Sequence, residues 1–127
     1  MFGHVFIGTN DIDASRKFYD ATMGVLGHHG FPLPHGSGYA GDGGTFIVAK
    51  PANGDTATCM NGFTFGFKAK DYDMVEAWHA AGIEAGGSSD GEPGFRANSP
   101  GNQYGAYLRD PDGHKICAFA PNVGDKA

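Results

Sequence analysis

Cysteine is scarce in this chain: Cys59 and Cys117 are the only two among 127 residues. Two thiols make no disulfide framework, and the expectation is two free thiols in a reducing compartment. Bases are in deficit as well. Nine Lys and Arg against fourteen Asp and Glu give a formal net charge of -5, and the bases form no cluster. The electrostatic footprint of a nucleic-acid binder is therefore missing. No apolar run reaches the length of a membrane span, and Met1-Phe2-Gly3-His4 has neither the basic region nor the apolar stretch of a signal peptide. These absences predict a cytoplasmic chain that engages neither nucleic acid nor membrane and whose partner is a small organic molecule.

What is present suits one hydrophobic core. At 40% hydrophobic and 18% charged residues, the chain has enough apolar surface for one compact domain spanning 1–127, and too little for two independent ones. Its 22 glycines sit at the ends of apolar runs, as turns and close approaches do. His4-Val5-Phe6-Ile7-Gly8-Thr9 reads as a strand, and Asp11 or Asp13 can cap the helix that follows. From Ala14 to Leu26 the residues Phe18, Met23 and Leu26 recur at helical spacing, with Arg16 and Lys17 on the wet side. Between Phe31 and Lys50, apolar pieces broken by Pro32, Pro34 and glycines predict two or three short strands, the last over Thr45 to Ala49.

The second half repeats the plan. Gly62 to Phe67 alternates with period two, and Asp71-Tyr72-Asp73 caps a helix over Tyr72 to Ala81 with Met74, Val75 and Trp78 buried. Adding 60 to His4, Asp11, Asp13, Phe18 and Ala21 gives Thr64, Asp71, Asp73, Trp78 and Ala81, so caps and core positions coincide across halves at 1–58 and 59–127. Gln103 to Leu108, the turn Asp110-Pro111-Asp112-Gly113 and a strand over His114 to Ala120 form a closing hairpin. Phe63, Phe65 and Phe67 share one strand face and are expected to pack against the helices. Gly86 to Asn102 shows no pattern and reads as a loop, either a ligand-covering flap or a variable segment.

Two βαβββ halves, the opening His4-x6-Asp11 with Phe18-Tyr19 downstream, and Asp110-Pro111-Asp112-Gly113-His114-Lys115-Ile116 together resemble the glyoxalase / bleomycin resistance protein / extradiol dioxygenase (vicinal oxygen chelate) superfamily. The resemblance implies an α+β fold in which two βαβββ modules form a curled mixed-sheet cup. It also implies metal ligands on the first and last strands of each half. The first ligand position falls on His4. The second falls in Phe46-Ile47-Val48, where no carboxylate is available and Val48 lines the pocket. The third falls on Thr64 and the fourth on Cys117. Threonine is a poor ligand for zinc or iron, and two protein ligands rarely hold a divalent metal. The expectation is a degenerate metal site with no cofactor, in place of bound Zn, Ni or Fe.

His4 and Cys117 are the candidate catalytic residues, each with a purely structural alternative: a strand-start imidazole bonded to backbone, and a small buried hydrophobe. Arg96 is placed to take a ligand carboxylate at the rim, or simply to be solvated. Tyr39 and Tyr104 either line the same mouth or are edge-strand aromatics. The primary reading is a glyoxalase-like small-molecule-binding protein whose cup is lined by His4, Tyr39, Val48, Thr64, Arg96, Tyr104 and Cys117. The alternatives are a lyase or isomerase resembling lactoylglutathione lyase, working through an unusual metal set or a metal-free base such as His4, and a resistance-type protein that sequesters a cationic drug. The resemblance further implies a homodimer.

Overall fold

The structure, a computed structural model, describes residues 1–126. The first module runs β1 (His4–Gly8), α1 (Ile12–Val25), β2 (Gly30–Leu33), β3 (Gly36–Gly41) and β4 (Gly44–Ala49). The second runs β5 (Phe65–Lys68), α2 (Tyr72–Glu84), β6 (Ser88–Phe95), β7 (Tyr104–Arg109) and β8 (Lys115–Ala120). Each module folds its strands into one mixed sheet, ordered β1-β4-β3-β2 and β5-β8-β7-β6. The first strand of each pairs in parallel with the last, and the remaining pairs are antiparallel. This is the paired βαβββ arrangement expected from the sequence.

The helices start where the caps dictate. Asp11 accepts from the Ala14 amide at 3.0 Å and Asp71 from the Met74 amide at 2.9 Å, satisfying one free N–H at each helix start. Both helices begin earlier or end later than the apolar stripe alone suggests, because Ile12 opens α1 and α2 continues to Glu84. Gly27, with φ of 89°, takes the left-handed conformation just beyond α1. Arg16 corrects the expectation that it faces water. Its guanidinium donates to Ser37 Oγ at 3.0 Å and to the Gly36 carbonyl at 2.8 Å, pinning the β2–β3 turn to α1.

The segment expected to be a structureless loop from Gly86 to Asn102 contains β6. Its sequence, SSDGEPGF, has no β-branched residue and includes Pro93, so strand propensity says nothing in its favour. It forms because it is an edge strand with two register shifts, where proline and glycine are tolerated. The rest is a compact turn. The Arg96 amide donates to the Gln103 carbonyl at 2.9 Å, and Ser99 Oγ both donates to the Arg96 carbonyl and accepts from the Gln103 amide.

One core serves both modules. Phe18 and Trp78, related by the 60-residue offset, are fully buried. The inner faces of both sheets, including Ile7, Phe46 and Val48 of one and Leu108, Ile116 and Ala118 of the other, belong to the same cluster. Phe65 and Phe67 pack against Phe46 of the opposite sheet, at 5.5 and 5.1 Å between ring centroids, so they contribute to the joint between modules. The helices meet closely where Gly82 lacks a side chain: a methyl there would lie 3.3 Å from both Phe18 Cε1 and Thr22 Cγ2 and would overlap Leu108. Positions 22 and 82 are equivalent under the offset, so their contact is the one expected near a pseudo-twofold axis.

Polar contacts lock the modules. Asp110, 4% exposed, accepts from Tyr19 Oη of α1 at 2.6 Å and from the Asp112 and His114 amides at 2.9 Å. In the same turn Asp112 accepts from the Asn10 amide, and His114 Nε2 lies 2.7 Å from the Gly8 carbonyl, where it serves as donor. Burial raises the Asp110 carboxyl above its usual range, and burial together with Asp110 holds the Tyr19 phenol well above an ordinary tyrosine. Tyr39 is raised by burial and by its bond to Asp20, and Tyr104 is pushed up to about 12 by burial and Glu76.

Raised phenols contribute stability that is fully present below the unfolded tyrosine pKa of about 10 and is lost as pH rises past it, because the unfolded chain then releases protons the folded chain retains. Thermal melting should therefore be nearly flat from about pH 7 to about pH 9 and fall steeply above about pH 10. Tyr19→Phe should lower stability at neutral pH by roughly 1.5 to 3 kcal/mol, the cost of a lost hydrogen bond to a carboxylate, and should soften the alkaline fall. Both follow from calorimetry across pH.

Candidate functional site

The alternation of each strand sorts the residues proposed from the sequence into two faces. Val5, Ile7, Phe46 and Val48 point inward with the core, so His4, Phe6, Thr45 and Ile47 occupy the open face of the first sheet, with His4 paired to Thr45 and Phe6 to Ile47. On the second sheet Phe65, Phe67, Ile116 and Ala118 point inward. Thr64, Gly66, Lys68, Cys117 and Phe119 take the open face, and Tyr107 lies opposite Cys117 on β7.

Three of the proposed pocket residues are therefore misplaced by the sequence reading. Val48 is 1% exposed and faces the core; its neighbour Ile47 holds the position that corresponds to Cys117, since Val5 pairs with Phe46 as Phe65 pairs with Ile116. Tyr39 and Tyr104 are 1% and 5% exposed and turn toward the helices, where their hydroxyls donate to Asp20 and Glu76. Both were legible as strand aromatics. In β7 the alternation of Leu108 with Tyr107 and Arg109 marks the inner face for Tyr104, while β3 carries no such marker for Tyr39.

His4 and Thr64 are exposed. His4 stands on one sheet, Thr64 and Cys117 on the other, and the two open faces turn away from the shared core. Cys117 is 7% exposed, lies opposite Gly66 and Tyr107 in register, and has its thiol pushed up to about 11 by burial, only partly offset by Lys115. A thiol so held is a poor nucleophile at neutral pH.

The open face of the second sheet carries a groove of about 690 Å³. Its floor is Gly66, Tyr107 and Phe119, and its walls include Lys68, Ser99 and Gln103. Tyr107 and Phe119 meet edge to face at 5.7 Å. Gly105 lacks a side chain because the Phe119 ring occupies that space, at 2.5 Å from where a Cβ would sit. Two cations crowd Tyr107: the Lys115 ammonium is 4.9 Å and the Arg96 guanidinium 5.6 Å from its ring centroid. Arg96 lies over Tyr107 but is not among the residues lining the groove, and Tyr107, Phe119 and Lys68 stand outside the set expected from the sequence. The alternation of Tyr107 against buried Leu108 was the available signal.

The family position for a metal is tested by its donors. His4, Ile47, Thr64 and Cys117 offer one imidazole, one thiol and no carboxylate, and among the described residues no three His, Cys, Asp or Glu side chains gather closely enough to hold an ion. These residues do not fit a divalent metal. A separate polar trio, Ser89, His79 and Glu92, places Ser89 Oγ 2.9 Å from His79 Nε2, but Glu92 lies 4.0 Å from Nδ1, beyond hydrogen-bond reach. The trio lies outside the residues that line the groove, and it fastens α2 to β6.

Paired βαβββ modules with ligand positions on their first and last strands define a class of protein, and the comparisons give it its family. The chain belongs to the Glyoxalase/Bleomycin resistance protein/Dioxygenase superfamily, whose model matches residues 1–118. It is similar to a glyoxalase/bleomycin resistance protein from Albidiferax ferrireducens T118, at 47% identity and a TM-score of 0.89, covering 96% of this chain and 99% of that one. More distant folds include a glyoxalase-related enzyme from Fulvimarina pelagi, at 18% identity and TM-score 0.76 over 100% of this chain and 92% of that one. A lactoylglutathione lyase from Agrobacterium tumefaciens has 19% identity and TM-score 0.64 over 94% and 92%. No curated protein matches the chain.

Both cysteines are free, Cys59 exposed and Cys117 buried. Ellman's reagent at about pH 8 should consume one thiol per chain rapidly and the second only on unfolding, because thiolate is the reacting form. Fast reaction of both in the folded protein would mean that Cys117 is more open than its packing indicates.

Proposed function

We propose that this protein binds a small organic molecule in the groove over Gly66, Tyr107 and Phe119, without metal chemistry, and that a second copy of the chain completes the cup. The observation that carries this reading is the pairing of an aromatic-floored groove with family ligand positions held by His4, Ile47, Thr64 and Cys117, which include no carboxylate. A preformed concavity with an apolar floor and a few convergent polar groups is the usual form of a small-molecule site.

The dimer rests on the open face of the first sheet. Phe6 and Phe31 are 49% and 41% exposed, and Ile47 lies beside Phe6, an apolar patch that water leaves unfavourably solvated. Opposed to the groove of a partner, this face would bring His4 and Phe6 over the ligand. No described helix is long and apolar enough to cross a membrane, and the reading places the protein in the cytoplasm.

Purified protein should carry well under one equivalent of zinc, nickel or iron by elemental analysis after dialysis. Small-molecule binders found by amide chemical-shift mapping should perturb Gly66, Tyr107 and Phe119 equally with and without EDTA. Stoichiometric metal, or binding abolished by EDTA, would overturn the metal-free reading. Sedimentation should show a dimer that Phe6→Glu converts to monomer, through the cost of burying an unpaired carboxylate; a monomeric wild type would sink the completed cup.

A further inference from the structure

The linker between β4 and β5 holds two Asn-Gly pairs, Asn53-Gly54 and Asn61-Gly62, and both are exposed. An asparagine before glycine carries a latent reaction, because the glycine amide nitrogen can reach the side-chain carboxamide with no Cβ in the way. The fold treats the two pairs differently. At the first, the Gly54 amide donates to the Pro51 carbonyl at 3.0 Å. The Asn53 carboxamide accepts from the Asp55 amide at 2.9 Å and donates to the Asp55 carboxylate at 3.2 Å. Removing the Gly54 proton would cost a hydrogen bond and set an anionic nitrogen against a carbonyl oxygen. At the second pair, neither the Asn61 carboxamide nor the Gly62 amide has a hydrogen-bond partner among the described residues. Gly62, with φ of 95°, sits in a turn closed by a long bond of 3.5 Å from the Phe63 amide to the Met60 carbonyl, and nothing lies within 4 Å of where a Cβ would be.

We propose that Asn61-Gly62 is a site of spontaneous modification, where the chain converts its own asparagine to aspartate and isoaspartate with water as the sole co-reactant. The Gly62 amide proton passes to solvent base and the nitrogen bonds to Asn61 Cγ. The bond from Cγ to Nδ2 breaks, and ammonia leaves with a proton from solvent. Water then opens the cyclic imide: attack at Cγ leaves aspartate, and attack at the Asn61 backbone carbonyl leaves isoaspartate. Either product adds a negative charge to a chain of formal net charge -5, on the segment leading into β5, whose Gly66 forms part of the groove floor. Isoaspartate also routes the backbone through an extra methylene. The long Phe63–Met60 bond offers little resistance to that, whereas β5 is held by its pairing with β8 and by the Ala69 amide on the Phe119 carbonyl at 2.9 Å. The change is therefore confined to the turn and to the Phe63 ring, which meets His114 edge to face at 6.4 Å.

The test holds the purified full-length protein in mildly alkaline buffer, samples it over days, and localises the change by digestion and peptide fragmentation. Asn61 should show the mass of an amide-to-acid exchange and resolve into aspartate and isoaspartate species. It should convert at least about tenfold faster than Asn53, where bonds at both reacting groups must open first. In denaturant the two sites should react at similar rates, and a difference that persisted there would overturn the role given to the fold. Mildly acidic buffer should slow the conversion, since the attacking nitrogen must lose its proton. Asn61→Gln, a change at an exposed position, should remove the fast phase from the intact-protein mass. Amide shifts of the converted protein should move from Met60 to Thr64 and stay in place at Tyr107. Asn61 that remains intact, that converts no faster than Asn53 in the folded protein, or whose replacement leaves the fast phase would overturn the proposal.

Discussion

The carboxylate of Asp110 ties the two modules together, and the placement of every outer residue depends on that tie. It is buried, it receives a phenol from α1 and two amides of its own turn, and the same turn reaches Asn10 and Gly8 through Asp112 and His114. A buried carboxylate is costly unless such donors surround it. The motif Asp110-Pro111-Asp112-Gly113-His114 is therefore a fastening between modules. Its conformation is fixed in part by Gly113, whose φ of 93° favours glycine.

Because that fastening holds the sheets with their inner faces on one core, their open faces turn outward. Phe46, Phe65 and Phe67 fill the joint between them, and Phe18 presses against Gly82 and Gly87, where a methyl at Gly87 would also meet the Arg109 carbonyl at 2.8 Å. The geometry separates His4 on one sheet from Thr64 and Cys117 on the other. Family ligand positions that belong together in function thus stand apart in a single chain, which is why a second copy enters the functional reading.

The groove on the second sheet differs from its counterpart on the first in charge and in shape. Where the second sheet presents Tyr107, Phe119, Lys115 and nearby Arg96, the first presents Phe6, Ile47 and the Phe31 ring over Gly38. One face is cationic with a floor of rings, the other apolar. Divergence between two similar modules has gone furthest on the faces that the common core does not constrain, as expected when packing fixes the inner residues and solvent leaves the outer ones free.

The sequence by itself determined the modules. Caps at Asp11 and Asp71, core positions at Phe18 and Trp78, and turn chemistry at Asp110 to Gly113 are local signals with local causes, and helices and hairpins form wherever such signals agree. The 60-residue offset and the hairpin also put Thr64 and Cys117 at positions that the family resemblance marks. Tertiary structure alone decided the rest. β6 exists because an edge accepts a strand with no propensity of its own, Arg16 is drawn half out of the solvent because β2 and β3 bring carbonyls to it, and Val48, Tyr39 and Tyr104 face inward because a shift of one residue in register exchanges the faces of a strand. The groove is of this second kind. Lys68, Arg96, Tyr107 and Phe119 come from three strands and a turn, and only the pairing of those strands places their charges and rings on one surface.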